Sequence, residues 1–181
     1  KQLLDHPGEA IRKRSRKIFE QTARESRRAV FERLRPSLDL DANPKLGREV
    51  FKKTCATCHR AGGEGHAVAP DIETVKGRDR ESLLLHLVDP NREVAPSYIV
   101  YNAILKDGRI LTGIIAGETA TSLELVRAEG LRDTLLRSQI KELKSTGRSL
   151  MPEELEKNLS LQDIANLLDF IRGLGRKAGR P

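Results

Sequence analysis

The chain of 181 residues has no tryptophan, 3% aromatic residues and two cysteines. Two cysteines exclude a scaffold built from several disulfides. No apolar run approaches the roughly twenty residues that a membrane-spanning helix needs, so no span is expected. A hydrophobic content of 38% and a charged content of 33% predict a soluble, globular chain. Because aromatic side chains are so scarce, something else is expected to fill part of the core.

The net charge of +7 is unevenly distributed. Residues 1–35 contain eleven Lys or Arg against five Asp or Glu, whereas the remainder contains 22 against 21. The basic residues of this first part alternate with acids and have no interleaved aromatics on which bases could stack. We therefore expect a solvated helical face and no nucleic-acid partner. The arginines of this face are Arg12, Arg16, Arg24, Arg27 and Arg28.

Apolar residues at helical spacing predict helical segments at 9–35 (one or two helices), 44–54, 80–90 and 160–172. Pro36 ends the first of them, and Asp79 is a candidate N-cap for the third. Ser160 and Asp163 form a capping box at the start of the last helix. Between these helices, residues 97–141 alternate polar and apolar positions, with an Asp107-Gly108 turn. This pattern predicts an antiparallel module of four or five strands.

Both cysteines lie in the segment CATCHRAGGEGHAVAP, residues 55–70. In C-x-x-C-H, two thiols can add across the two vinyl groups of a porphyrin while the adjacent His59 reaches the iron. A redox dithiol needs no such His and favours a preceding strand rather than a helix. Zinc needs four ligands. Cys55, Cys58, His66 and His86 could supply them, but His59 would then be idle. The motif favours covalent haem, with a zinc-binding interaction module and a redox dithiol as alternatives.

Met151 is the single methionine and lies in GRSLMPEEL, shortly before the last helix. A thioether is a soft iron ligand that favours Fe(II). The Met-Pro pair after a polar loop therefore makes Met151 the candidate second axial ligand. The alternative is that Met151 only packs in the core. The iron would then keep an open position, as in a haem-based sensor or enzyme.

The segments GREVFKKTCATCHRAGGEGHAVAPDI, SLMP and LSLQDIANLLDFIRGL resemble a class I c-type cytochrome. The chain more closely resembles the haem-binding domains at the ends of large multidomain proteins of planctomycete-type bacteria. Their β insertion before the axial methionine is matched by Asp89-Pro90, Tyr98, Asp107-Gly108-Arg109 and Thr112-Gly113. The resemblance covers residues 44–172. Ala69 departs from it, because this class usually has glycine before the proline.

The resemblance implies thioether bonds at Cys55 and Cys58 and iron ligation by His59 and Met151. It also makes the Pro70 carbonyl the acceptor for the His59 ring N–H, which fixes the ring. It places Gly47 and Phe51 where the first helix of the fold crosses the last, near Phe170. The site residues expected are therefore Cys55, Cys58, His59, Pro70 and Met151.

The implied fold is mainly α. It is a cytochrome c fold over residues 37–181, with a small antiparallel β insertion at 97–141. Residues 1–36 are a basic helical extension whose opening, LLDHPGEAIRKRSRKIFE, resembles the tail of a HEAT-repeat array. No secretory signal is recognisable, so the chain is expected to be a mature or excised fragment.

The function implied is one-electron transfer by one covalent haem c per chain, without catalysis by this chain. The expected partner is a redox protein or the dehydrogenase domain of a larger oxidoreductase, an analogy drawn from the family. Because c-type haem is attached outside the bacterial cytoplasm, the expected location is the periplasm or another extracytoplasmic compartment.

Overall fold

The computed structural model describes residues 6–175, except for the side chains of residues 20–25. The first five residues of the expected extension and the last six of the expected cytochrome domain lie outside the described residues. The helices are α1 (Glu9–Leu34), α2 (Pro44–Thr54), α3 (Arg80–Val88) and α4 (Leu161–Gly173). All four predicted helices are confirmed, as are the Asp79 N-cap and the Ser160–Asp163 capping box.

Helices α2 and α4 cross closely and form the centre of the helical core. Gly47 permits the approach, because a Cβ there would lie 2.0 Å from the carbonyl oxygen of Asn166. Phe51 is fully buried, and its ring centroid lies 5.5 Å from that of Phe170. The crossing implied by the resemblance is therefore confirmed. The same core includes Leu83, Leu84, Leu87, Val88, Ile164, Leu167, Leu168 and Ile171.

The C-terminal end of helix α1 packs on this core. Phe31 and Leu34 are buried there, whereas Ile11 and Phe19 are 43% and 49% exposed. The prediction of a uniformly solvated arginine face is wrong at Arg27, whose side chain is only 12% exposed. That the extension is the tail of a helical array stays a prediction.

A five-stranded antiparallel sheet follows α3. Two strands of two residues each, β1 (Arg60–Ala61) and β2 (Glu64–Gly65), form a small hairpin between α2 and α3. The sheet itself consists of β3 (Ile99–Leu105), β4 (Ile110–Glu118), β5 (Ser122–Val126), β6 (Arg132–Leu136) and β7 (Ile140–Ser149). Its strand order is β6-β5-β4-β3-β7.

The prediction of a mainly α fold is wrong. The chain is 45% helical and 24% strand, and its sheet has a core of its own. That core contains Ala103, Leu105, Leu123, Leu125 and Leu135. The last strand runs to Ser149, beyond the end predicted at residue 141. The residues between its first and last positions are mostly charged or polar and are exposed. The strand therefore lacks the apolar alternation by which the earlier strands are predicted.

Candidate functional site

The segment from Cys55 to Pro70 is a loop held largely by its own backbone. The Cys55 carbonyl accepts hydrogen bonds from the N–H groups of Cys58 and His59, at 3.1 and 2.9 Å. The Cys58 carbonyl accepts from Val68 and Ala69, at 3.0 and 2.8 Å. These bonds join residues close in sequence and fix the two cysteines and His59 relative to one another. We call residues 55–70 the attachment loop.

The ring of His59 is oriented by a hydrogen bond to the Pro70 carbonyl. His59 Nδ1 lies 2.8 Å from the Pro70 oxygen, so the bond implied by the resemblance is present although Ala69 replaces glycine. Because a carbonyl can only accept, Nδ1 carries the proton and Nε2 keeps its lone pair for a metal. Burial lowers the pKa of His59, while the Pro70 bond and Asp71 act in the opposite direction. Burial therefore favours the neutral imidazole, the form that binds metals.

The β1–β2 hairpin is the part of the attachment loop that forms ion pairs with α2. The Glu64 carboxylate accepts two hydrogen bonds from Arg48, each 2.8 Å long, and lies 3.5 Å from Lys52 Nζ. Gly65 has a φ of +85°, and a Cβ there would lie 2.1 Å from the His59 carbonyl oxygen. Only glycine therefore allows the loop to pass this close behind His59.

The two cysteines are unpaired thiols in half-buried positions. Burial raises the pKa of the Cys55 thiol to about 12, with a smaller contribution from Cys58. A redox dithiol needs an accessible thiolate with a lowered pKa. The environment of Cys55 is the opposite, which argues against the dithiol alternative.

Met151 lies on the helical core that the attachment loop also contacts. It is half-buried and packs on the same apolar cluster as Cys55 and Ala56. Its backbone N–H donates to Ser149 Oγ at 3.1 Å. The chain therefore brings its single thioether and the attachment loop to one apolar cluster, although they are far apart in sequence.

The ligands considered for zinc are not gathered. His66 is exposed and directly follows the β1–β2 hairpin, and its backbone N–H donates to the Ala56 carbonyl. His86 lies on α3 against the guanidinium of Arg78, and burial followed by Arg78 lowers its pKa. Among the described side chains, those of residues 6–19 and 26–175, no cluster of three or more His, Cys, Asp or Glu could hold a metal ion. The zinc alternative therefore has no support in the described part of the chain.

The sheet covers one side of the attachment loop. Val100, Ile114 and Val126 are paired across three adjacent strands and pack with Val68, while Cys58 contacts the same cluster. In the β5–β6 connection, the Glu129 N–H donates to the Thr57 carbonyl at 2.7 Å. Thr57 lies between the two cysteines. The sheet thus contacts the C-x-x-C-H segment directly.

Three residues around this site were not identified from sequence. Asn91 and Arg27 bind the segment around Met151, and Glu129 binds the attachment loop. Arg27 and its partner Glu156 are 129 residues apart, so no local pattern joins them. The only usable signal was the Asp89-Pro90-Asn91 turn, which comes immediately before the polar connection to the sheet.

Residues 44–99 match the family model of cytochrome c. The match contains α2, the attachment loop and α3, and it ends where the sheet begins. A cytochrome c domain implies covalently bound haem c and supports haem-based electron transfer. Cys55 and Cys58 lie within the matched range at the required spacing, whereas Met151 lies outside it. A search of curated proteins found no match to the chain.

The side chains that could bind a haem c are suited to it in chemistry and position. Two unpaired thiols lie within one loop, the adjacent imidazole has its Nε2 lone pair available, and a thioether lies on the same apolar cluster. From His6 to Gly175, no helix is long and apolar enough to cross a membrane.

Proposed function

We propose that the chain is a monohaem c-type cytochrome that carries single electrons. In this proposal Cys55 and Cys58 would form the thioether bonds, and His59 and Met151 would ligate the iron. The observation that carries it is the His59–Pro70 hydrogen bond within a C-x-x-C-H loop. That bond fixes the tautomer and direction of an imidazole whose neighbours are two unpaired thiols.

When bound, haem c supplies an iron that cycles between Fe(II) and Fe(III). The chain's own residues keep the surroundings constant during that cycle. Pro70 prevents the His59 ring from rotating, and the backbone bonds of the attachment loop hold both cysteines. A site that changes little between oxidation states suits electron transfer, because little reorganisation accompanies each electron.

Met151 distinguishes an electron carrier from a sensor or an enzyme. A thioether ligand from Met151 would leave the iron no open position and would favour Fe(II), which raises the reduction potential. Its half-buried position on the cluster contacted by Cys55 supports this role. We propose that Met151 ligates the iron. The alternative, a sensor or enzyme whose iron has an open position, would be recognised from its optical spectrum.

The wider setting is also a proposal. A module of a larger redox protein, accepting electrons from a dehydrogenase domain or a separate redox protein, fits a carrier that transforms no substrate itself. Attachment of haem c takes place outside the bacterial cytoplasm, so the proposed location is periplasmic or otherwise extracytoplasmic.

Covalent attachment is tested by extracting denatured holoprotein with acidified acetone. The expected result is that the haem stays with the polypeptide in the wild type and in Thr57→Ser, which keeps both thiols. It should be extracted from Cys55→Ser/Cys58→Ser. Extraction of the haem from the wild type would contradict the proposal.

Ligation by Met151 is tested on the oxidised holoprotein. We expect a low-spin spectrum with a weak far-red sulfur-to-iron charge-transfer band. Met151→Ala should remove the band and lower the potential, because Fe(II) loses its soft ligand. A high-spin wild type that binds carbon monoxide would favour the sensor or enzyme.

A further inference from the structure

The segment that carries Met151 has little regular structure of its own. It runs from the end of β7 at Ser149 to Glu156, the second residue of a short 3-10 helix (Leu155–Asn158). Within the segment, Glu154 has a φ of +69°, a left-handed conformation that costs energy for a residue with a side chain. Such a conformation persists only when surrounding contacts impose it. We call residues 149–156 the Met151 segment.

Asn91 holds the beginning of the Met151 segment. Its Oδ1 accepts a hydrogen bond from the Ser149 N–H at 2.9 Å, and its Nδ2 donates to Glu153 Oε1 at 2.6 Å. One amide side chain therefore joins residues on both sides of Met151. Ser149 in turn accepts the Met151 N–H on its hydroxyl.

Arg27 holds the other end of the segment from helix α1. Its Nη1 donates to Glu156 Oε1 at 2.9 Å and to the Val88 carbonyl at 3.3 Å, while its Nη2 lies 3.9 Å from Glu154 Oε1. The Glu156 side chain is only 1% exposed. Within the described residues, Glu156 Oε2 has no hydrogen-bond partner. Arg27 is therefore the cation that compensates a buried carboxylate.

Removal of Arg27 would leave this carboxylate buried without its partner. A stranded buried charge is strongly unfavourable, and outward movement of the Glu156 side chain towards water would relieve it. Glu156 is five residues from Met151, so this movement would pull on the segment that carries the thioether. Loss of Arg27 would therefore displace Met151 as well as lower the free energy of unfolding.

We propose that Arg27 and Asn91 are positioning residues for Met151, holding its segment against the helical core so that the thioether stays at the iron. The proposal rests on the assignment of Met151 as an axial ligand. It gives helix α1 a part in the redox site, although α1 lies outside the range that matches cytochrome c.

The test measures how easily an added ligand displaces the thioether from the oxidised holoprotein. Imidazole binds when Met151 leaves the iron, so its affinity reports how firmly the segment is held. Arg27→Met should raise imidazole affinity by about tenfold or more, because it strands Glu156. Asn91→Ala should raise it by about fivefold, the equivalent of one or two lost hydrogen bonds. Both should weaken the far-red band and lower the potential.

Matched controls separate positioning from general damage. Arg28→Met removes the neighbouring exposed arginine of α1, and Asn158→Ala removes an exposed amide beyond the segment. Both should leave imidazole affinity, the far-red band and the potential at their wild-type values. Arg27→Met/Glu156→Gln should raise affinity less than Arg27→Met alone, because no charge is stranded. Arg27→Lys, which keeps the charge, should also have a smaller effect.

The proposal is overturned if Arg27→Met and Asn91→Ala lower the unfolding temperature but match the controls in affinity, band and potential. If Arg27→Met does not accumulate as folded holoprotein, Arg27→Lys and Asn91→Ala decide by the same criterion. Met151→Ala, measured in parallel, identifies a different failure. A wild type that binds imidazole as tightly as Met151→Ala would show that Met151 is no ligand, and the proposed function would fail there.

Discussion

The attachment loop and the Met151 segment are held in different ways. The attachment loop is held mainly by contacts between residues close in sequence, such as His59 with Pro70, eleven residues away, although Glu129 of the sheet also donates to Thr57. The Met151 segment is fixed by Asn91 and Arg27, whose partners are between 58 and 129 residues distant. One proposed axial ligand therefore depends on a local motif, whereas the other depends on the assembled fold. This difference predicts that loosening the fold should release Met151 before it disturbs His59.

Gly47 gives the attachment loop a long-range support, because it lets α2, the helix that leads into the loop, pack closely on α4. In Gly47→Ala the new Cβ would lie 2.0 Å from the Asn166 carbonyl oxygen and 2.7 Å from Phe170 Cβ. Helices α2 and α4 would have to separate, at a cost of about 3 kcal/mol. Thermal or denaturant unfolding of the holoprotein measures this loss.

Gly173→Ala is the control for this substitution, because nothing lies within 4 Å of a Cβ at that helical position. It should leave stability unchanged or slightly higher. Equal midpoints for the two variants would show that α2 does not need its close contact with α4.

A smaller effect tests whether the attachment loop also depends on the sheet. Val126 is 6% exposed and belongs to the cluster that contacts Cys58. Val126→Ala should destabilise the holoprotein by about 2 kcal/mol through lost burial and the cavity left behind. Leu136→Ala, at a position 50% exposed on the same sheet, should cost much less. If the two variants unfold alike, the sheet gives the loop no support.

A third prediction concerns the capping box that starts α4, beyond the Met151 segment. Ser160→Ala removes a bond to the backbone of Asp163 and should cost about 1 kcal/mol at neutral pH. The Ser160 hydroxyl, followed by its N–H, holds the pKa of Asp163 below its usual value. This stabilisation is present above the unfolded pKa, about 3.9, and is lost as pH falls through the lower folded pKa.

The difference in unfolding free energy between wild type and Ser160→Ala should therefore shrink in acid. Denaturant unfolding at neutral and acidic pH measures it. Ser138→Ala, at an exposed position, is the control and should show no difference at either pH. If the difference in unfolding free energy between wild type and Ser160→Ala increased in acid, the proposed role of the Asp163 carboxylate would be contradicted.

The reactivity of Cys55 in the haem-free chain reports whether the attachment loop is closed by its own local contacts. Because burial raises the pKa of Cys55 to about 12, its thiol stays protonated near neutral pH. Alkylation of Cys55 by iodoacetamide should be slow in the folded chain and faster in denaturant, as measured by peptide mass spectrometry. Rapid alkylation in the folded chain would show that the attachment loop is already open.

Local patterns were enough to predict the helices, the caps and the C-x-x-C-H motif. The resemblance added the His59–Pro70 bond and the crossing at Gly47. What sequence reasoning missed depends on distant partners. Arg27 was assigned to a solvated face, because its alternation with acids gives no sign that Glu156 lies beside it.

The fold class was wrong for a related reason. From the sequence alone, the alternating pattern between residues 97 and 141 predicts only a small addition to a helical protein. Strand β7 extends the sheet to Ser149, and its exposed polar positions give little apolar periodicity. Strand β7 pairs with β3, and the buried positions Ala103 and Leu105 belong to β3.

The hydrogen bond between Asn91 and Ser149 has a consequence for how this molecule can diverge over evolution. It brings together the points where the chain leaves the helical part and returns to it. A stretch of chain whose ends meet can change in length and sequence while the parts it connects keep their places. The turns at 106–109 and 119–121 are therefore positions where descendants of this protein could acquire new surface, while His59 and Met151 stay where they are.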